Sequence, residues 1–494
     1  MLTKEGTLLI AKNDSASLEI LPAMANRHGL VTGATGTGKT VSLQVMAESM
    51  SALGVPVFIT DIKGDVSGIA KAGSDSPGIR KRVDGMGLAK RGFSFQGCPV
   101  CFWDIFGRDG HPLRTTISEM GPVLISRILD LNDTQSGTLQ LIFRIADDNG
   151  LLLLDFKDLR KMTEFVAIKE NRSQFSQAYG NLAPATLGAI QRGLLTLEEQ
   201  GADAFFGEPG LDIGDLMRRS PDGKGIVNIM ASDRLMQSPR VYAAFLLWLM
   251  SELFEQIPEA GDLDRPKLVL FFDEAHLLFS NAPKALLEKI EQVVRLIRSK
   301  GVGIFFITQN PADIPETVLA QLGNRVQHAL RAYTPKEQKA VRAAAEAFRP
   351  NPAFKTEDAI TALGVGEALV SLLDAKGVPG VVERASMLPP ESQIGPVTGD
   401  ERQALIRQSA LFGRYENAVD RESAYEKLTA RILQKTADDA AAAAKPKKGD
   451  DSFLGDLVTD FAKKTKQSIT RNIANEVGRS LIRGVLGGLF GGKK

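Results

Sequence analysis

The sequence predicts an α/β protein: a mainly parallel sheet with helices on both faces, a helical insertion and a C-terminal amphipathic tail. Near-continuous apolar runs recur at residues 29–31, 55–61, 100–104, 268–272, 303–308 and 325–330. Strands buried on both faces read this way, and parallel sheets bury both faces. Stretches of helical periodicity separate the runs, as crossovers between parallel strands require.

In chain order, residues 1–27 read as a short β lead-in. Residues 28–116 hold a strand, a glycine-rich turn and a helix over 41–53 that Gly54 closes, since glycine readily takes the left-handed conformation found after helix ends. Two more strands, 55–61 and 100–104, follow in that segment. From 117 to 260 apolar residues recur at helical spacing, as in Val123-Leu124-Ile125 with Ile128-Leu129. This predicts a mainly helical insertion with one strand near 226–230. Residues 261–435 return to strand–helix alternation and add a late hairpin over 367–373 and 380–385. Lys445-Pro446-Lys447-Lys448-Gly449, after an alanine run, marks a linker over 436–451. In the basic tail, 452–494, Ile469, Ile473, Val477, Leu481, Val485 and Leu489 share one helix face.

The turn in the first segment is Gly33-Ala34-Thr35-Gly36-Thr37-Gly38-Lys39-Thr40, a complete G-x-x-x-x-G-K-[ST] loop between strand and helix. Glycines free backbone N–H groups to wrap phosphate oxygens, and the helix N-terminus adds positive potential. Residues 33–41, ending at Val41, are thus read as a cradle for a nucleoside triphosphate. Lys39 would reach its β- and γ-phosphates and Thr40 would hold Mg²⁺.

Asp273-Glu274 follows the apolar run 268–272. At the end of a buried strand Asp273 would face Mg²⁺ and its waters, and Glu274 would polarise the attacking water. Gln309 ends the next strand and is read as the group that senses or orients that water; the plainer alternative is a solvated strand-end amide. His276, two residues beyond Glu274, is read as a residue that packs or that supports the site residues from behind. Cys98-Pro99-Val100-Cys101 stands alone, and with two cysteines and four histidines in the chain no zinc set is expected.

Composition narrows the class further. The 60 Lys and Arg nearly cancel the 59 Asp and Glu among 494 residues, so any nucleic-acid surface must be local. Two cysteines argue against a disulfide framework and suit a reducing compartment. Met1-Leu2-Thr3-Lys4-Glu5-Gly6 lacks the apolar stretch of a secretory signal, and the apolar run 241–250 is too short to span a bilayer. A cytoplasmic protein is expected.

Taken together, these motifs resemble those of the HerA–FtsK superfamily of ring ATPases, and most closely the bacterial HerA-like, YjgR-type proteins. The matching pieces are Arg27-His28-Gly29-Leu30-Val31-Thr32-Gly33, Thr60-Asp61-Ile62-Lys63-Gly64-Asp65, Phe102-Trp103-Asp104-Ile105-Phe106-Gly107, Gly110-His111-Pro112-Leu113-Arg114-Thr115-Thr116, Asp273-Glu274-Ala275-His276 and Ile307-Thr308-Gln309-Asn310-Pro311. The resemblance covers roughly residues 1–435 and implies a RecA-like (P-loop) core, a homohexameric ring and ATP between neighbouring subunits. It also implies two arginines at each site: Arg27 acting on the next subunit's nucleotide, and Arg298 acting in cis. Arg325 and Arg331 stand in reserve. Each arginine, taken alone, also suits a surface ion pair. Because only residues 1–28 precede the phosphate-loop strand, the N-terminal barrel that docks a nuclease in HerA proteins is not matched, and a nuclease partner is not expected.

The resemblance further implies an ATP-driven DNA translocase or helicase acting on double-stranded DNA. The alternative from another class is a nucleotide-switched assembly or regulatory ATPase acting on a protein or membrane partner. Its best support is the tail; lipid contact through 452–494 is the less favoured reading, because Asp456, Asp460 and Glu476 interrupt the basic charge.

Overall fold

Twelve strands make one sheet: β1 Leu8–Lys12, β2 Ser17–Ile20, β3 Gly29–Thr32, β4 Val57–Asp61, β5 Val100–Asp104, β6 His111–Pro112, β7 Val227–Ala231, β8 Leu268–Phe272, β9 Val302–Thr308, β10 Asn324–Gln327, β11 Glu367–Ser371 and β12 Glu383–Met387. Their order is β2-β1-β12-β11-β10-β3-β9-β8-β4-β7-β5-β6. From β10 to β6 every neighbouring pair is parallel. From β10 back to β2 every pair is antiparallel. This computed structural model describes residues 1–279 and 284–443, apart from the side chains of 439–443. The tail expected over 452–494 lies outside the described residues.

The parallel strands run apolar without alternation because both faces are covered. On one face Leu43, Met46, Ala47 and Met50 of the helix Lys39–Ala52 pack on Val31, Val57, Ile59, Phe271 and Ile307. On the other, Phe58 meets Phe245 of the helix Pro239–Gln256 with ring centroids 6.4 Å apart. Phe272 stacks on Phe306 on that side at 5.7 Å. Burying side chains of this size contributes about 2 kcal/mol each.

Two parts of the sequence reading change. The strand near 226–230, grouped above with the helical stretch 117–260, is an inner strand of the sheet between β4 and β5. The helix Pro239–Gln256 that follows it is the crossover to β8, so the helical departure from the sheet lies between β6 and β7. That departure is set by local chemistry: Thr116 with Glu119, Asn132 with Gln135 and Asp155 with Asp158 each form a reciprocal capping box at a helix start. The second change is at the C-terminal side. The chain divides into units at Ala424 and Tyr425, and a helix Ala424–Ala443 occupies the beginning of the segment read as a linker from 436. No described helix is long and apolar enough to cross a membrane.

Candidate nucleotide-binding site

All parallel strands present their C-terminal ends at one edge of the sheet, and the chemistry-bearing residues follow those ends. β3 leads into the glycine loop, β8 into Asp273-Glu274, β9 into Gln309 and β4 into the turn that carries Lys63. The loop starts the helix Lys39–Ala52 from a left-handed Gly38 (φ 111°). Its outer side is fixed by two backbone bonds: Ala34 N donates to Ala329 O at 2.8 Å, and Gly366 N donates to Thr37 O at 3.0 Å. Gly33 is required by packing, because a Cβ there would lie 2.5 Å from the Cβ of His328.

His328 forms the floor of the loop. Its Nδ1 is 3.0 Å from the Glu367 carbonyl and its Nε2 is 2.9 Å from Ser42 Oγ. A carbonyl only accepts, so Nδ1 carries the proton and the Ser42 hydroxyl donates to Nε2. Burial pushes the imidazole down to about 4, which keeps it neutral. Lys39 is buried, and its Nζ donates to Gly33 O at 2.7 Å and Ala34 O at 3.1 Å. Burial lowers its pKa, against the attraction of Glu274.

β9 lies between β3 and β8, which places Gln309 between the loop and the acidic pair. Gln309 Nε2 donates to Glu274 Oε2 at 3.3 Å, and His276 Nδ1 is 3.3 Å from the same oxygen. Lys63 forms an ion pair with Glu274 Oε1. Burial works to raise the Glu274 carboxyl, but Lys63, Gln309 and His276 outweigh it and hold the group below its ordinary value. Asp273 is different. Burial, with repulsion from Glu274, raises it to about 7, and its Oδ2 is buried with no hydrogen-bond partner among the described residues.

These residues fit ATP and Mg²⁺. An orphaned, buried carboxylate oxygen is the group a divalent cation would satisfy, and the cation would return Asp273 to its ionised form. Thr40, in the first turn of the helix, is the hydroxyl that would share it. The loop supplies N–H groups and Lys39 the positive charge.

The arginines fall elsewhere. Arg27 ends a short 3₁₀ helix before β3, and Arg298 sits in another before β9. Both therefore lie at the N-terminal edge of the sheet. They are neighbours there: Asn26 Nδ2 is 3.4 Å from Arg298 O, and Ile304 N donates to His28 Nδ1 at 3.0 Å. Arg298 cannot act in cis, as expected above, because the seven residues of β9 hold it roughly 23 Å from the edge that carries Glu274. Its Nη2 instead faces Asp262 at 3.4 Å. Arg325 is structural: its Nε, Nη1 and Nη2 donate to the carbonyls of Leu322, Ala347 and Leu319. Cys98 is half-buried and Cys101 buried, and burial raises each thiol to about 12.

The model of the family described as Helicase HerA-like C-terminal matches residues 6–494. The chain belongs to this family. The DNA double-strand break repair helicase HerA of Sulfolobus acidocaldarius is 21% identical over 383 residues. The match covers 73% of this chain and 65% of that protein, so the chain spans just under two thirds of the relative's length. Among solved structures, the unbound bacterial conjugative coupling protein TrwBΔN70 matches at 15% identity, with 78% of this chain and 92% of that chain covered and a TM-score of 0.48. VirB4 of Thermoanaerobacter pseudethanolicus matches at 15% identity over 79% and 98%, with a TM-score of 0.47.

Lys63, which pairs with Glu274, and His328, which floors the loop, carry no role in the sequence reading, whereas His276, read there as packing or supporting the site, comes to 3.3 Å from the same carboxylate. Lys63 stands in the quoted Asp61-Ile62-Lys63-Gly64-Asp65 string after β4, which was the available signal.

Proposed function

We propose that this chain is an ATP-hydrolysing ring motor of the HerA/FtsK type, a translocase or helicase acting on double-stranded DNA, and that it assembles as a homohexamer with ATP between subunits. The observation that carries this reading is the split of the machinery between two edges of one sheet. Lys39, Asp273, Glu274 and Gln309 follow strand ends at one edge, while Arg27 and Arg298 precede strands at the other. A chain built this way holds the triphosphate but keeps these two guanidinium groups for a neighbouring copy.

Within one chain, the loop N–H groups and Lys39 bind the phosphates. Glu274 accepts a proton from the attacking water, and the Gln309 amide orients that water. Mg²⁺, held by Asp273 and Thr40, would neutralise charge on the β- and γ-oxygens. Arg27 of the adjoining copy, with Arg298 beside it, would stabilise charge in the transition state. DNA as the substrate is supported by family membership and by the HerA relative's description as a DNA repair helicase. The two free thiols suit a reducing compartment, so we place the ring in the cytoplasm.

The deciding assay measures ATP turnover with and without duplex DNA across a salt series. Stimulation by DNA that fades as salt rises supports the motor, since phosphate contacts release counterions. DNA-indifferent turnover, together with vesicle binding lost on deletion of residues 452–494, would overturn it in favour of a nucleotide switch acting on a membrane.

A further inference from the structure

The two cysteines have no part in the ATP site, yet both stand in the wall of one cavity of ≈500 Å³. Cys98, Pro99, Val100 and Cys101, around the start of β5, line it together with Ile226 just before β7. These are N-terminal strand ends, whereas Glu274 follows a C-terminal one. The five residues of β5 put roughly 17 Å between the two edges. The cavity is therefore separate from the nucleotide site.

Leu405 and Leu411, on either side of the end of the helix Gly399–Gln408, complete its apolar part. Burial raises both thiols to about 12, so they stay neutral and add no charge to this floor. The polar part of the wall comes from the loop before β7, with Arg218 and Arg219. Arg219 is exposed, and its side chain makes no hydrogen bond or salt bridge among the described residues. Arg218 comes no nearer to Asp215 than 3.7 Å. That carboxylate already accepts from Tyr415 Oη at 2.6 Å and faces Arg414 Nη1 at 2.9 Å. Arg414 also faces Asp212 at 3.3 Å, and Asp222 is matched by Lys224 at 3.9 Å. Three guanidiniums against the carboxylates of Asp212 and Asp215 leave one positive charge beside an apolar floor.

We infer that this cavity is a binding site for a small amphipathic monoanion, a medium-chain fatty carboxylate in type. Its tail would lie on Val100, Ile226, Leu405 and Leu411, and its head against Arg218 and Arg219. A cavity of this volume, mostly apolar with a few polar groups to fix orientation, is the usual form of a small-molecule site. Guanidinium matches a carboxylate head in shape as well as charge, since two N–H groups can meet its two oxygens. A head with a single charge balances the single excess charge of the wall. The site stands independently of the ATPase reading.

The test titrates the full wild-type chain with sodium octanoate, well below its micellar range, by isothermal titration calorimetry. Saturable binding at one site per chain is expected. Arg218→Ala combined with Arg219→Ala should weaken it by about tenfold or more, the loss that follows removal of charge-assisted hydrogen bonds. Gln408→Trp, which fills the cavity from an exposed position in its wall, should also weaken binding while the melting temperature stays near wild type. Octanol, of the same length but uncharged, should bind more weakly than octanoate. A saturating non-hydrolysable ATP analogue should leave octanoate affinity unchanged. Absence of saturable binding, affinity indifferent to these variants, octanol binding as tightly as octanoate, or displacement by the ATP analogue would each overturn the inference.

Discussion

Gln309 Nε2 donates a hydrogen bond to Glu274 Oε2 across 3.3 Å, tying the residue after β9 to the second residue after β8. The sheet prepares this contact, because Ala275 N donates to Ile307 O at 2.7 Å and holds the two strand ends in register. Glu274 itself takes a left-handed backbone conformation, φ 46°, which is uncommon for a residue with a side chain. Backbone strain of this kind persists only where the surroundings hold it, here at a carboxylate contacted by Lys63, His276 and Gln309.

Glu274→Gln should bind ATP with affinity near wild type and lose turnover by about 100-fold or more, since the amide keeps the shape but cannot take a proton from water. Analogue binding and phosphate release measured on the same preparation check this. Turnover within about tenfold of wild type would assign the catalytic carboxylate elsewhere.

Arg27→Ala should also lose turnover. Combined with Lys39→Ala chains, it should regain part of the activity, because an Arg27→Ala site can receive Arg27 from a Lys39→Ala neighbour. Activity in mixtures of varied ratio, with subunit exchange verified by labelled chains, gives the answer. Complete silence of well-mixed rings would place the action of Arg27 within one chain.

A pH prediction follows from Asp273. Its folded value, about 7, lies above the ordinary 3.8, so the folded state holds the proton more tightly than the unfolded chain. The resulting stability is fully present below 3.8 and is lost as pH rises through about 7, with a slope of at most about 1.4 kcal/mol per pH unit. Asp61, raised to about 6, and Glu48, raised to about 7, titrate in the same sense, so the informative quantity is the difference between wild type and Asp273→Asn. Melting curves in metal-free buffer from pH 4 to 8 should fall less steeply for the variant. Parallel curves would show that Asp273 is not buried as described.

The phosphate loop and the acidic pair were legible because their chemistry is local: consecutive residues at a strand end, flanked by apolar runs. Gln309 was legible for the same reason. Arg298 was not, because the end of a helix in sequence does not say which edge of the sheet it meets. β9 begins just after Arg298, and that alone puts it opposite Glu274. β7 was grouped with helices because an isolated apolar pentamer carries no sign of its neighbours, which here are β4 and β5. Lys63 escaped notice because its partner lies far along the chain, and an ion pair across two strand ends leaves no spacing to read.

β3 has only four residues, all buried, with Arg27 before it and Gly33 just after it. Spanning roughly 13 Å, it is a stiff rod rather than a tether. In a closed circle of such chains a shift of the loop at one tip would carry the guanidinium-bearing tip with it, so the filling of one site would adjust the next, and turn-taking would need no separate relay.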